Sequence, residues 1–328
     1  MTTASCSPLV TVVIATYCST AEHLRVAINS VRHQSFGNIE IIVSDDSPSP
    51  ELQAVANASG DARIRYIHHR PGLGVARNHW WCFAQARGEF VAILNHDDQL
   101  EPEFIASLMQ PLTGDDSIAL SFCDHWLIDA KGLRLEQDTV AASTYWGRAT
   151  TREGLHRPFV ELLASQTIPM AMGTIFRKSL LPDQLPDDAG PAYDLWLTYL
   201  LARTGMAAYY VPRRLSGWRT HAGNLTSQAG EDWLRGSAEC WELISGDPAC
   251  RAIHPVARSK AAIGFAGLAT RAIADGRRAD AVGLALRSMR LRFTSKAGAV
   301  WLLCCLPRFL SVPLVTAARA RRPQLLRR

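Results

Sequence analysis

Acidic residues all but disappear from the last quarter of this 328-residue chain. Only Asp275 and Asp280 carry negative charge after residue 250, against 16 lysines and arginines, so residues 251–328 bear +14 while residues 1–250 bear −9. A basic end on an acidic body points to an anionic partner, either a membrane or a nucleic acid. Paired cysteines are missing as well. The eight cysteines include no CxxC pair, which argues against a zinc site and a disulfide frame and leaves reduced core thiols. The opening MTTASCSPLV has neither a basic leader nor a long apolar run before Thr11, so no signal peptide is expected. An unbroken spanning helix is absent too. The apolar stretch 297–318 is interrupted by Pro307, Arg308 and Pro313, which suits a segment lying at a bilayer interface better than one crossing it.

What is present is an alternation of strands and helices over the first 125 residues. LVTVVIA (9–15) is a β-branched run, and Leu24, Ala27, Ile28 and Val31 follow at helical spacing. IEIIVSDDS, RIRYIHH, EFVAILNHDD and SIALSFCDHW read as further strands, separated by helical PELQAVANAS, GVARNHWWCFAQA and EPEFIASLMQPL. Near-continuous apolar strands between amphipathic helices predict an α/β fold, Rossmann-like, with a mainly parallel sheet and helices on both faces. Polar clusters sit just past the strand ends, at Ser44 to Asp46 and Asn95 to Asp98. In an open α/β sheet, ligands bind at that carboxyl edge. Beyond residue 250 the chain reads as helical and arginine-rich.

Each cluster admits a plain reading and a chemical one. RPGLGVARN (70–78) is a glycine turn entering a helix, or a loop and helix N-terminus facing a phosphate or base with Arg77 nearby. Of Asp45 and Asp46, one carboxylate caps the next helix, or accepts the N3–H of uracil or thymine while Tyr17 stacks on that base. Asp97 and Asp98 repel each other unless a cation, solvent or a proton intervenes. Magnesium or manganese takes one or two such carboxylates together with phosphate oxygens; a solvated turn is the plain alternative. Asp194, beside apolar Leu195 to Leu197, is a helix cap or a general base with a raised pKa. His221 is a metal or phosphate ligand, or a structural hydrogen-bonding group.

In this order, VTVVIATYCS, SVRHQSF, IEIIVSDDSPS, GLGVARN, GEFVAILNHDDQLEP, MGTIFRKS, YDLWL and WRTHAGNLTS resemble the family 2 glycosyltransferases of the GT-A fold, over roughly residues 8–227. The resemblance implies a nucleotide-sugar-binding half (1–125), an acceptor and catalytic half (126–230), and a helical, arginine-rich membrane-associating region (231–328). It places Asp46, Tyr17, Arg77 and Asp97 on the nucleotide, Mg²⁺ or Mn²⁺ on Asp97 and Asp98, Asp194 as the catalytic base, and Arg219 and His221 at the diphosphate leaving group. Asn95 stands where the family has the first acid of its metal motif, and Tyr193 where it has a glutamate before the base. The implied reaction is an inverting, metal-dependent transfer from a UDP or dTDP sugar to a hydroxyl acceptor, a lipid-linked glycan in cell-surface polysaccharide synthesis. The implied location is cytoplasmic, peripheral on the inner face of the cell membrane. A nucleic-acid partner is not expected, because no recognition motif accompanies the basic tail and the body is acidic. A sugar-nucleotidyltransferase would need a glycine-rich loop after the first strand, and IATYCSTAEH has none. A degenerate homologue that binds nucleotide without turnover is the other alternative, resting on Asn95 and Tyr193.

Overall fold

A computed structural model of the chain describes residues 10–184, 187–220, 230–293, 295–306 and Pro313. The chain divides into two compact units, Met1–Asp187 with Tyr193–His221, and Asp188–Ala192 with Ala222–Arg328.

The first unit runs β1 (Val10–Thr16), α1 (Ala21–Arg32), β2 (Ile39–Asp45), α2 (Gln53–Asn57), β3 (Ile64–His68), α3 (Val75–Gln85), β4 (Phe90–Ile93) and β5 (Gln99–Leu100). It continues through α4 (Phe104–Gly114), β6 (Ile118–Ile128), α5 (Glu136–Tyr145), β7 (Gly154–His156), α6 (Val160–Ser165) and the single turn α7 (Met170–Gly173). It closes with β8 (Thr174–Arg177), α8 (Tyr193–Ala202) and β9 (Ala207–Arg219). These strands form one mixed sheet in the order β3-β2-β1-β4-β8-β6-β9-β5, with β7 paired to β9. The first four in that order are parallel; β8 lies antiparallel to both β4 and β6, and β9 runs parallel to β6.

Every residue of β2 is buried, and so is all of β1 apart from a half-buried Ala15, so both faces of the sheet are covered. Val10, Val12 and Ile14 share a core with Leu24, Ala27, Ile28 and Val31 of α1 and with Phe104 and Leu108 of α4. The helix α1 starts where the Thr20 side chain accepts a hydrogen bond from the His23 N–H at 3.1 Å, and its apolar stripe then falls on the sheet. Parallel strands β1, β2 and β4 therefore present their carboxyl ends, with Tyr17, Asp46 and Asn95 to Asp98 just beyond, along one edge.

The second unit contains α9 (Glu231–Ile244), α10 (His254–Ala274), α11 (Arg278–Leu291) and α12 (Ser295–Cys305). Small residues bring its helices close together: a Cβ on Gly264 of α10 would stand 2.7 Å from the Ala238 Cβ of α9. The buried Ser288 hydroxyl of α11 donates to the Ala262 carbonyl of α10 at 2.7 Å. No described helix is long and apolar enough to cross a membrane. Pro307, Arg308 and the arginines after residue 318 lie outside the described residues, as does His221.

Candidate active site

Asp45 and Asp46 follow each other in sequence and separate in function. Asp45 is fully buried, with Oδ2 accepting from the Tyr66 hydroxyl at 2.6 Å and Oδ1 from the Ser47 N–H at 2.9 Å. It is structural. Asp46 turns toward the glycine loop before α3, where Oδ2 accepts the Gly74 N–H at 2.7 Å. Its Oδ1 is buried without a hydrogen-bond partner among the described residues. A buried acceptor left unpaired carries a desolvation penalty, which an incoming N–H relieves. Gly74 adopts φ +82°, a left-handed conformation that favours glycine, and a Cβ on Gly72 would come within 3.1 Å of the Asp46 carbonyl. Tyr17 stands 62% exposed at the end of β1. The following Cys18 has φ +48° and donates its N–H to Ser47 Oγ at 2.8 Å, tying the Tyr17 turn to the end of β2. Arg77 is exposed in the first turn of α3.

The pair that ends β4 also splits. Asp97 stays partly exposed, whereas Asp98 is fully buried. Asp98 Oδ1 accepts the Arg219 N–H at 2.8 Å and Oδ2 accepts from Asn95 Nδ2 at 2.8 Å. Burial, followed by the adjacent Asp97 charge, pushes the Asp98 pKa well above the usual carboxylate range, against those two hydrogen bonds. The repulsion implied by the sequence is thus met by turning one acid inward, and Asn95 serves as a donor to it. The expected metal contact at Asp98 is therefore not offered by this geometry.

Arg219 is buried as well. It is 3% exposed at the end of β9, with Nε donating to the Asp97 carbonyl at 2.7 Å and Nη1 donating to the Asp129 and Ala130 carbonyls at 3.0 and 3.2 Å. Through these bonds it braces the Asp97 turn. Among the described residues no three His, Cys, Asp or Glu side chains converge as a metal cage. One partly exposed carboxylate at a strand end, Asp97, suits a Mg²⁺ or Mn²⁺ ion that draws its other oxygens from a diphosphate and water.

Asp194 lies in the first turn of α8 and is exposed. Its Oδ1 accepts the Leu195 N–H at 2.8 Å. The carboxyl group is open to solvent yet hemmed by enough protein to lose part of its hydration, and its pKa rises for that reason, against the hydrogen bond from Leu195. A carboxyl that is reachable and has a raised pKa is suited to take a proton from an acceptor. Its neighbour Tyr193 is only 8% exposed and stacks on His79 of α3, centroids 4.0 Å apart and planes 18° apart. His79 is 4% exposed and donates from Nδ1 to the Val75 carbonyl at 2.7 Å; burial pushes its pKa down to about 4. Trp196 is core, and Trp218 is half-buried with its ring edge-on to His125.

Tyr17, Asp46, Arg77, Asp97 and Asp194 thus all belong to the sheet unit, four of them at the carboxyl edge and Asp194 at the start of α8. Gly74 and Asn78 lie within the GLGVARN stretch, whereas His79, the next residue, escapes motif reasoning. Asn78 exchanges hydrogen bonds with Ser44 at the end of β2, accepting its hydroxyl and donating Nδ2 to its carbonyl. A histidine inside an amphipathic helix has no spacing that distinguishes it from a surface polar residue. Cys18, exposed, also departs from the expectation of core thiols; Cys82, Cys123, Cys240 and Cys250 are buried and free.

Residues 11–176 match the family model described as glycosyl transferase family 2. The chain belongs to that family. Over 230 residues it is 32% identical to the uncharacterized glycosyltransferase RT0329 of Rickettsia typhi, covering 68% of this chain and 67% of that one. It is 33% identical to the glycosyltransferase EpsH of Bacillus subtilis over 122 residues, 36% of this chain, and so spans about a third of that protein (34%). It is 37% identical over 92 residues, 26% of this chain and 29% of the other, to the GalNAc(5)-diNAcBac-PP-undecaprenol beta-1,3-glucosyltransferase of Campylobacter jejuni. Among solved structures, TarS 1–349 of S. aureus in complex with UDP-GlcNAc superposes with a TM-score of 0.63 at 16% identity, covering 95% of this chain and 87% of that one. The mannosyltransferase PcManGT of Pyrobaculum calidifontis, with GDP-Man and Mn²⁺, gives 0.57 at 14% identity over 95% and 85%. The fold is GT-A.

Proposed function

We propose that the protein is an inverting glycosyltransferase that moves a sugar from a UDP or dTDP donor to a hydroxyl of a lipid-linked glycan, in cell-surface polysaccharide synthesis. The observation that carries this reading is Asp194, a solvent-reachable carboxyl with a raised pKa on the unit that also holds the nucleotide edge. Asp46 supports the choice of base, because its buried, unpaired Oδ1 accepts an imide N–H that cytosine lacks. Tyr17 supplies the stacking face and Arg77 a cation toward the diphosphate.

Asp194 removes the acceptor hydroxyl proton as that oxygen attacks the anomeric carbon. The bond from that carbon to the diphosphate oxygen breaks on the opposite face, so the configuration inverts in one step. The leaving diphosphate keeps the electron pair, and Arg77 with His221 would meet its charge. A Mg²⁺ or Mn²⁺ ion held by Asp97 would supply further neutralisation of that charge. PcManGT, crystallised with Mn²⁺, and TarS, crystallised with UDP-GlcNAc, support a nucleotide-sugar site with a cation on this fold. The Campylobacter relative, named for an undecaprenol-linked acceptor, supports a lipid-linked one.

The basic end would hold the enzyme on the anionic inner face of the cell membrane. Six arginines and no acid fall within residues 307–328. A chain ending at residue 306 that sediments with anionic vesicles as fully as the whole protein would overturn this part.

The reading as a whole is tested by calorimetric titration of UDP and dTDP, with and without Mn²⁺, into the parent and Asp97→Ala, alongside a donor screen of the parent and Asp194→Asn. Metal-dependent binding lost at Asp97, with turnover lost at Asp194, is the expected result. Nucleotide binding without turnover of any donor would favour a binding protein instead.

A further inference from the structure

We infer that the Tyr193–His79 stack is the positioning element that fixes the base Asp194 relative to the nucleotide. The inference rests on the proposed role of Asp194. The chain of contacts is short and rigid at each link. Asp46 Oδ2 holds the Gly74 N–H at 2.7 Å, at the residue that precedes α3. Ser44, two residues earlier on β2, is bonded both ways to Asn78 of α3. One residue on, His79 is fastened to the start of its own helix by the 2.7 Å bond to the Val75 carbonyl, which fixes the ring. Tyr193 lies flat on that ring at 4.0 Å, and Asp194 is the next residue. The Leu195 N–H then pins the Asp194 carboxylate to the helix start.

One helix thus touches the base-reading acid at its N-terminus and the catalytic turn through an aromatic pair. Both rings are more than nine-tenths buried, so neither is spent on substrate contact. His79 is neutral near pH 7, which keeps the stack an apolar contact with no charge to solvate. A displacement of about 1 Å between a reacting pair lowers rate about 100-fold. Loss of the stack frees the first turn of α8 by that order, while leaving Asp46, Gly74 and Tyr17 in place. Tyr193 and His79 act through Asp194 and are positioning residues.

The test uses the full chain as parent, Tyr193→Phe, Tyr193→Leu and His79→Leu. Expected is a kcat lower by about 10–100-fold in both leucine variants, with the donor KM and the UDP Kd unchanged, and most of kcat retained in Tyr193→Phe. A second readout needs no turnover: hydrogen–deuterium exchange across residues 193–199. UDP should slow exchange there several-fold in the parent and in Tyr193→Phe, and should not in Tyr193→Leu at saturating UDP. Equal kcat across the set, equal UDP protection across the set, or losses explained by a smaller folded fraction with normal kcat per binding site would overturn the inference. A parent that shows the exchange pattern but turns over no donor would sink the proposed function and leave the coupling standing.

Discussion

Asp98 and Arg219 close a bracket beneath the β4 turn: the Arg219 N–H meets Asp98 Oδ1 at 2.8 Å while Arg219 Nε meets the Asp97 carbonyl at 2.7 Å. The two residues come from strand ends far apart in sequence, and the bracket sets how far Asp97 projects. Replacing Arg219 by Met removes a donor from three carbonyls, of which Asp129's keeps the Gly132 N–H at 3.0 Å. A loss of about 1–3 kcal/mol is expected for each buried carbonyl left unsatisfied. A melting temperature lower by roughly 10 °C would register it. Arg219→Lys should recover little, because an ammonium lacks the planar fork that spans these carbonyls.

The Asp46 carboxylate should carry uracil selectivity. Asp46→Ala is expected to weaken UDP binding by about 10–100-fold, the worth of one hydrogen bond to a charged group. CDP binding, weak in the parent, should change little. Calorimetry with both nucleotides measures the difference, and an unchanged UDP-to-CDP ratio would remove Asp46 from base recognition.

As the proposed base, Asp194 would work only when deprotonated. Since burial by surrounding protein raises its pKa, kcat should climb with pH through an inflection above the ordinary carboxylate value of about 4. Asp194→Asn should lower kcat by about 100–10,000-fold, the usual worth of a general base. The UDP Kd of that variant should match the parent.

Two buried histidines should make the fold sensitive to mild acid. Burial, then the neighbouring His96 charge, holds His79 down at about 4, and burial followed by Arg148 holds His125 down at about 3. The unfolded chain binds these protons below its ordinary histidine pKa of about 6.5, whereas the folded chain refuses them. Their contribution is complete above that value and drains away as pH falls toward 4, at about 1.4 kcal/mol per unit for each group. Urea unfolding between pH 7 and pH 4.5 should show the slope, and His125→Gln should flatten it.

Much of the sheet was legible because its strands are buried on both faces, so apolar runs such as Val10 to Ala15 betray them directly. The edge clusters were legible for the reason that charge at the end of such a run needs a purpose. What the sequence hid was direction. Nothing in the string Asp97-Asp98 says that one acid faces solvent and the other is sealed beneath Arg219, since that is decided by β9, which arrives some 120 residues later. Arg219 itself reads as a phosphate ligand by motif and is a brace by packing. His79 gave no signal at all, because its partner Tyr193 is distant in sequence and only the fold lays one ring on the other.

The short segment Asp188–Ala192 belongs to the helical unit although sheet-unit residues flank it on both sides. Ala189 and Ala192 are both wholly enclosed, and the chain re-enters the sheet unit at Tyr193, immediately before Asp194. The two units are therefore interleaved in sequence and are not separable cassettes. A single crossover cannot exchange the helical unit whole, because residues 188–192 would stay behind with the sheet unit. Inheritance of the helical unit is thereby tied to inheritance of the sheet unit, and the pair would be expected to descend together.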